Sequence, residues 1–467
     1  MAKTFRPWVV NQTWLLPPSL LDFVPAEHPA HFVRELVRET LDLRAIFSVY
    51  SEERGYPPYH PAMMTALLLY AYSQGVFSSR KIAKSCQERV DFMAVTGLQK
   101  PDFRTVSDFR KRHLEALAGL FVQVLRLCRE AGLVKLGHVV LDGTKLKANA
   151  SKHKAMSYAR MKELEPQLAA EVQQWLERAE REDNEDDDEH GPGARGDELP
   201  EWVANKQKRL EKLREAKAAL EAEGKAEVER TSAESRSRGK PADDRNSADS
   251  RSARKPETSS ERSRQRRRPH ADGTPHDKAQ RNFTDPDSRI LWTGNSYLQG
   301  YNGQIAVDAS SQVIVAQMLC NEQIDAPLLV PMLDRIKQCN GRQAKELSAD
   351  AGYCSEANLK ALARRRIRGF VAVGRLRHGR NEQTGRLGTV VGTKIHEMKL
   401  RLARASFRSR YRLRKQVVEP VFGQIKSALG FARFLLRGLV NVSHEWALIC
   451  TTHNLRKLLA NRPALAA

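Results

Sequence analysis

Val139-Val140-Leu141-Asp142-Gly143-Thr144-Lys145-Leu146-Lys147 is the stretch whose reading decides the fold. Leu136, Val139, Val140 and Leu141 supply the apolar run of a buried strand, and Gly143 is expected to stop it. A carboxylate set where a hydrophobic strand meets solvent is poised to hold a cation at a sheet edge. Two lysines, Lys145 and Lys147, follow it, and that combination suits metal-assisted chemistry on a phosphate. A lone Asp-Gly pair more often just opens a turn. What weighs against the turn is that acids recur downstream at two other element ends.

The first of these is Asp350, which follows the short strand Leu347-Ser348-Ala349 and precedes the turn Ala351-Gly352-Tyr353. If its strand and that of Asp142 lie side by side and run parallel, both carboxylates emerge at one edge of the sheet. The second is Glu419, where Lys415, Glu419, Phe422 and Lys426 fall at helical spacing and put two basic residues on the face of the acid. Pro420 disfavours a helical conformation at Glu419 and removes a backbone donor, so the helix is expected to kink there, or to begin there with Glu419 as its cap. Three converging carboxylates are hard oxygen ligands of the kind Mg2+ or Mn2+ takes. Two such ions, about 3.5–4 Å apart, can activate an attacking oxygen and stabilise the leaving oxygen of a phosphodiester.

The rest of the chain frames these acids. Its 467 residues suffice for two or three domains with cores of their own, and its net charge of +22, held despite 56 acidic residues, points to a polyanionic partner, nucleic acid first. The six cysteines form no CxxC pair and suit buried thiols in a reducing compartment. No secretory leader is evident, and the longest apolar run, residues 62–72, is too short to span a bilayer, so the expectation is a soluble protein of the cytoplasm.

Residues 1–130 read as helical, with Pro61 opening one helix and Gly75 ending it. A short basic helix at 78–86 and another from Thr105 to His113, carrying Arg110, Lys111 and Arg112, fit a helix-turn-helix that meets DNA or, equally, a bundle with a solvated basic face. Residues 154–282 interrupt the sheet: two antiparallel helices, the first kinked at Pro166, joined by a loop at the acidic run 182–189, then a segment from Thr231 to Asn282 poor in large apolar residues and expected to be disordered. Its tract at 262–268 could grip phosphates or be a solvated linker. From residue 303 a hairpin turning at Ala309-Ser310-Ser311 opens an alternation of strands and helices, the pattern of a mixed α/β sheet with helices packed on it. Asp308 and Asp325 also stand near strand ends; Asp308 is read as a turn residue. His453 and Asn454 are read as structural, and Trp292 and Trp446 as core residues, with base stacking the other role for an exposed aromatic.

Asp142 in Leu-Asp-Gly-Thr-Lys, Asp350 in Ser-Ala-Asp-Ala-Gly-Tyr and Glu419 between Tyr411 and Lys426 resemble the DDE triad of bacterial insertion-sequence transposases with an InsH-like N-terminal region. The stretch from Asp285 to Gly303 is similar to the segment before the second strand in those proteins. The resemblance takes in nearly the whole chain outside 154–282. It implies an RNase H-like core split into residues 131–153 and 283–460, a helical DNA-binding domain at 1–130, and an insertion at 154–282. It further implies two divalent ions on Asp142, Asp350 and Glu419, and DNA contacts from Lys145, Tyr411, Arg414, Lys415 and Lys426 beside Arg110, Lys111 and Arg112. Relatives carry a Tyr-Arg-Glu-Lys signature around the third acid; here the gap after Tyr411 is one residue longer, so Arg414 shares the role of Lys415. The function implied is cleavage and joining of transposon ends by a homo-oligomer on double-stranded DNA, in association with the bacterial nucleoid. A catalytically silent DNA-binding relative and an RNase H-like nuclease are the alternatives.

Overall fold

The structure is a computed structural model that describes residues 19, 23–50, 57–190, 201–237, 269–294, 296–373, 393–404, 411–412 and 414–461. The basic tract at 262–268 lies outside these residues. The chain divides into two compact units, residues 1–147 with 301–467, and residues 148–300.

In the first unit, helix α1 (Pro29–Glu35) and a short helix α2 (Arg44–Phe47) precede α3 (Pro61–Ser73), whose apolar run is buried on nearly every side. A helix hydrophobic all round belongs in a core. Around it lie α4 (Ser79–Glu88), α5 (Val90–Thr96), α6 (Phe103–Arg112) and α7 (Leu114–Glu130). The two basic helices are present, yet α5 stands between them in sequence, so they are not joined by a single turn. Asp102 caps α6 by accepting from the amides of Arg104 and Thr105.

The sheet follows. Strand β1 (His138–Lys147) does not stop at Gly143 but runs on to Lys147. Gly143 is needed for a different reason: a Cβ there would collide with the Gln304 side-chain amide and lie 3.1 Å from Asn302 Oδ1. Strand β5 (Tyr297–Asp308) lies beside β1 and carries β6 (Ile314–Cys320) as an antiparallel hairpin partner. On the other side of β1 come β7 (Glu346–Ala349) and β8 (Arg368–Val371), both parallel to their neighbours. Helices α10 (Leu329–Asn340) and α11 (Glu356–Arg364) supply the crossovers, as parallel strands require. After α12 (Lys394–Ala403) and α13 (Arg414–Gly423), the terminal α14 (Leu439–Ala460) packs along both α7 and β6. Its Trp446 is fully buried above Gly303, where an added Cβ would lie 3.2 Å from the indole.

The second unit holds β2 (Ala155–Ser157), α8 (Tyr158–His190), α9 (Glu201–Ser237), β3 (Gln280–Asn282) and β4 (Arg289–Trp292). Helix α8 runs through Pro166 and takes in the acidic run expected to be a loop. The two helices share a core of Tyr158, Met161, Leu168, Leu210, Leu213, Ala216 and Leu220. The segment expected to be disordered is ordered at both ends: residues 231–237 finish α9, and β3 pairs antiparallel with β2. Trp292 is not a core residue. It is half exposed, its ring 4.7 Å from that of Tyr297 across the hairpin that β4 makes with the first residues of β5.

Candidate catalytic site

The parallel pairing of β1 and β7 sets Val139 opposite Leu347, Val140 opposite Ser348 and Leu141 opposite Ala349. One residue further, the same register brings Asp142 and Asp350 abreast at one edge of the sheet. Each carboxylate is fixed by a backbone amide just after it, in the strand itself for Asp142 and in the following turn for Asp350: Asp142 Oδ1 accepts from the Gly143 amide at 2.8 Å and Asp350 Oδ1 from the Gly352 amide at 2.9 Å. Burial, reinforced by the Asp350 and Asp325 charges, pushes the Asp142 carboxyl up to about 6, while Gly143 and Arg414 act against it. Burial first and Asp325 second raise Asp350 as well.

Asp325, in the loop after β6, is thus a third carboxylate at this edge. Its Oδ1 accepts from the side-chain amides of Asn302 at 2.8 Å and Gln304 at 2.9 Å, and Lys145 Nζ stands 3.6 Å away. Asn302 and Gln304 are two apart on β5, both fully buried, and so face the same way. Gln304 also accepts the hydroxyl of Tyr353, which is buried three residues beyond Asp350. Burial raises that phenol well above its ordinary value, and Asp325, Asp142 and Asp350 all push the same way. Sequence reasoning marks Asp325 only as an acid near a strand end. The signal it missed was Asn302 and Gln304, two amides two apart on a buried strand, which need a buried partner.

Glu419 stands apart. It neither begins α13 nor caps it but lies mid-helix, exposed, with Lys415 Nζ 3.9 Å from its carboxylate. Helix α13 tolerates Pro420 because the carbonyl orphaned one turn back, that of Gln416, accepts instead from the Gln312 side chain at 3.2 Å. Val418 and Val421 are buried on the side that packs on β1, and Lys426, just beyond, donates to Thr144 Oγ1 at 2.5 Å and to the Lys145 carbonyl at 3.0 Å. Among the described residues no three acidic, His or Cys side chains already converge in a metal cage.

The basic residues expected to contact DNA divide by burial. Arg110 is turned inward, which corrects its expected role: its guanidinium donates to Tyr72 Oη, the Phe77 carbonyl and Ser79 Oγ, bracing α6 against α3 and α4. Lys426 is likewise committed to β1, and Lys145 to Asp325 and the Gln323 carbonyl. Arg414 lies close enough to lower both Asp142 and Asp350, with its guanidinium 5.9 Å from the Tyr411 ring centroid. Lys111, Arg112 and Lys415 are exposed. No helix of the described residues is long and apolar enough to cross a membrane.

Comparison with known families gives two matches. Residues 18–112 match the family described as Transposase domain (DUF772), and residues 248–455 match the one described as Transposase DDE domain. The second span contains Asp325, Asp350 and Glu419, while Asp142 lies before it. No curated protein and no solved structure gives a match. With one transposase domain near its start and a transposase DDE domain through its C-terminal part, the chain carries the two domains that an insertion-sequence DDE transposase is expected to have.

Proposed function

We propose that the chain binds the terminal inverted repeats of its element, cuts the DNA there and joins the freed end to target DNA. The observation that carries this reading is the register that puts Asp142 beside Asp350. Two raised carboxyls at one edge form a site whose negative charge a divalent cation relieves, and oxygen donors suit Mg2+ or Mn2+. When bound, such a pair of ions supplies activation of the attacking oxygen and stabilisation of the leaving one.

The chain's own residues do the rest. Asp142 and Asp350 would hold the ions at the sheet edge, and Glu419, on the helix that packs on β1 and only weakly paired with Lys415, would be the third acid available to them. Lys415 then turns to the DNA backbone, and Arg414 and Tyr411 line the approach to the acids. Lys111 and Arg112 on α6 take phosphates of the repeat, so residues 1–130 serve as the DNA-binding part beside a split catalytic core at 131–153 and 283–460, interrupted by the insertion at 154–282. A water opens the phosphodiester in line and leaves a 3′-OH, and that hydroxyl attacks target DNA in a second in-line displacement. No covalent protein–DNA bond is formed. Both ends of the element are held by a homo-oligomer.

The test is a supercoiled donor plasmid bearing the inverted repeats, incubated with Mg2+ or EDTA. Asp350→Asn is expected to abolish nicking and strand transfer while end binding stays within a few-fold of wild type. Nicking without strand-transfer products would mark an RNase H-like nuclease instead, and undiminished nicking by Asp350→Asn would remove the assignment.

A further inference from the structure

We propose that Asp325 is a third carboxylate of the cation site, holding a divalent ion together with Asp350 and Asp142. This rests on the reading above that the Asp142 and Asp350 edge takes such an ion. A Cβ placed on Gly352 would lie 3.0 Å from Asp350 Oδ1 and 3.2 Å from Asp325 Oδ2, so the two carboxylates crowd the same point, one that only glycine leaves open. The two oxygens of Asp325 are differently used. Oδ1 is fixed by Asn302, Gln304 and Lys145, whereas Oδ2, the oxygen turned towards Gly352, has no hydrogen-bond donor among the described residues.

A surface aspartate that merely balanced Lys145 would not need two buried amides to aim it. Asn302 and Gln304 commit an inner strand to that purpose, and Gln304 ties the same network to Tyr353 in the turn that carries Asp350. Buried amides placed behind a ligating carboxylate orient it and leave its other oxygen for the ion. Glu419, by contrast, is exposed and paired with Lys415, and so is the acid that joins with DNA rather than before it.

Calorimetric titration of Mn2+ into the full chain without DNA tests the assignment independently of catalysis. Asp325→Asn keeps an oxygen able to accept from Asn302 and Gln304, so the fold, followed by circular dichroism, should persist while Mn2+ affinity falls at least tenfold. Glu322→Gln, which removes a nearby exposed charge, is expected to leave the affinity unchanged. An equal loss in both variants would reduce the effect to diffuse charge and overturn the proposal, as would wild-type affinity in Asp325→Asn. Should Asp325→Asn fail to fold, Lys145→Met decides: freeing Asp325 of its cation should tighten Mn2+ binding threefold or more, and unchanged binding overturns the proposal. Wild-type chain that takes up no Mn2+ and nicks no DNA would remove the transposase reading of this edge as well. Wild-type chain that does both, with Asp325→Asn alike, would remove only the role of Asp325.

Discussion

Asp142 is held in the fold against its own preference. Its carboxyl is raised from 3.8 to about 6, by burial above all and then by Asp350 and Asp325. The sign follows from linkage: a carboxyl whose folded value lies above its unfolded one costs nothing below about pH 4 and its full penalty above about pH 6. A shift of this size amounts to about 1–3 kcal/mol, an order-of-magnitude figure. Asp142→Asn, in the absence of divalent ions, is therefore expected to melt several degrees higher than wild type at pH 7.5 and level with it at pH 4, even as it loses cleavage. Thermal melts across that range check it, and a variant that melts lower at pH 7.5 would show the charge to be stabilised by something else. Asp142 and Asp350 were legible as neighbours because an apolar run followed by an acid, twice in one chain, marks two buried strands that can pair, although β1 runs on past its acid. Asp325 was not, since its partners Asn302 and Gln304 sit on a strand whose neighbours only the folded sheet reveals. Arg110 was misread for a related reason: a basic cluster on a helix says nothing of which member turns inward, and the partners that bury this one lie on two other helices.

Among the elements, the joint around Gln312 carries the most. This residue, at the turn between β5 and β6, adopts a left-handed φ of 61°. Its side chain donates to the Gln416 carbonyl of α13 and accepts from Lys457 of α14, and its carbonyl accepts from His453 Nε2 at 2.9 Å. One turn thereby fixes both the helix bearing Glu419 and the helix that closes the core. Proline at 420 suggested a kink or a helix start from sequence because the remedy, a side chain about a hundred residues away, has no local signature. His453 is pushed down to about 4 by burial, with Lys457 and Arg456 adding to it and the bond to Gln312 opposing. A depressed value means that stability is full above about pH 6.5 and is lost as pH falls through 4. His453→Gln is accordingly expected to melt below wild type at pH 7.5, with the gap closing or reversing by pH 4.5. Comparing the two proteins at each pH separates this from the opposite contribution of Asp142. A gap independent of pH would mean that burial does not hold the imidazole back from taking up a proton.

At the scale of the whole molecule, the insertion behaves as a unit with a core of its own. Composition alone set it apart from the sheet, but it could not show that the acidic run joins α8 or that residues 280–282 return as a strand, because both depend on partners brought in by the fold. The return matters: β2 and β3 are antiparallel with Ser157 opposite Gln280, so the chain leaves and re-enters the insertion at one pair of residues. A two-residue Asn-Gly turn can close such a pair. Replacing residues 158–279 by Asn-Gly removes the α8 and α9 core together with the ion pairs of Glu165 with Lys217 at 2.7 Å and Arg214 at 3.2 Å, all internal to the excised piece. What remains loses Glu223 as the partner of Arg281 and Arg289, exposed pairs of the kind worth about 0–1 kcal/mol each. Residues 1–147 and 301–467 keep their own compact core, so the shortened chain is expected to melt within about 4 °C of the parent, since 1 kcal/mol shifts a domain of this size by about 2–4 °C. It should also bind Mn2+ with unchanged affinity, because Asp142, Asp325 and Asp350 all belong to the retained unit. A fall of more than about 10 °C, or loss of the ion, would show that the sheet edge depends on the insertion and that the catalytic core is not self-sufficient.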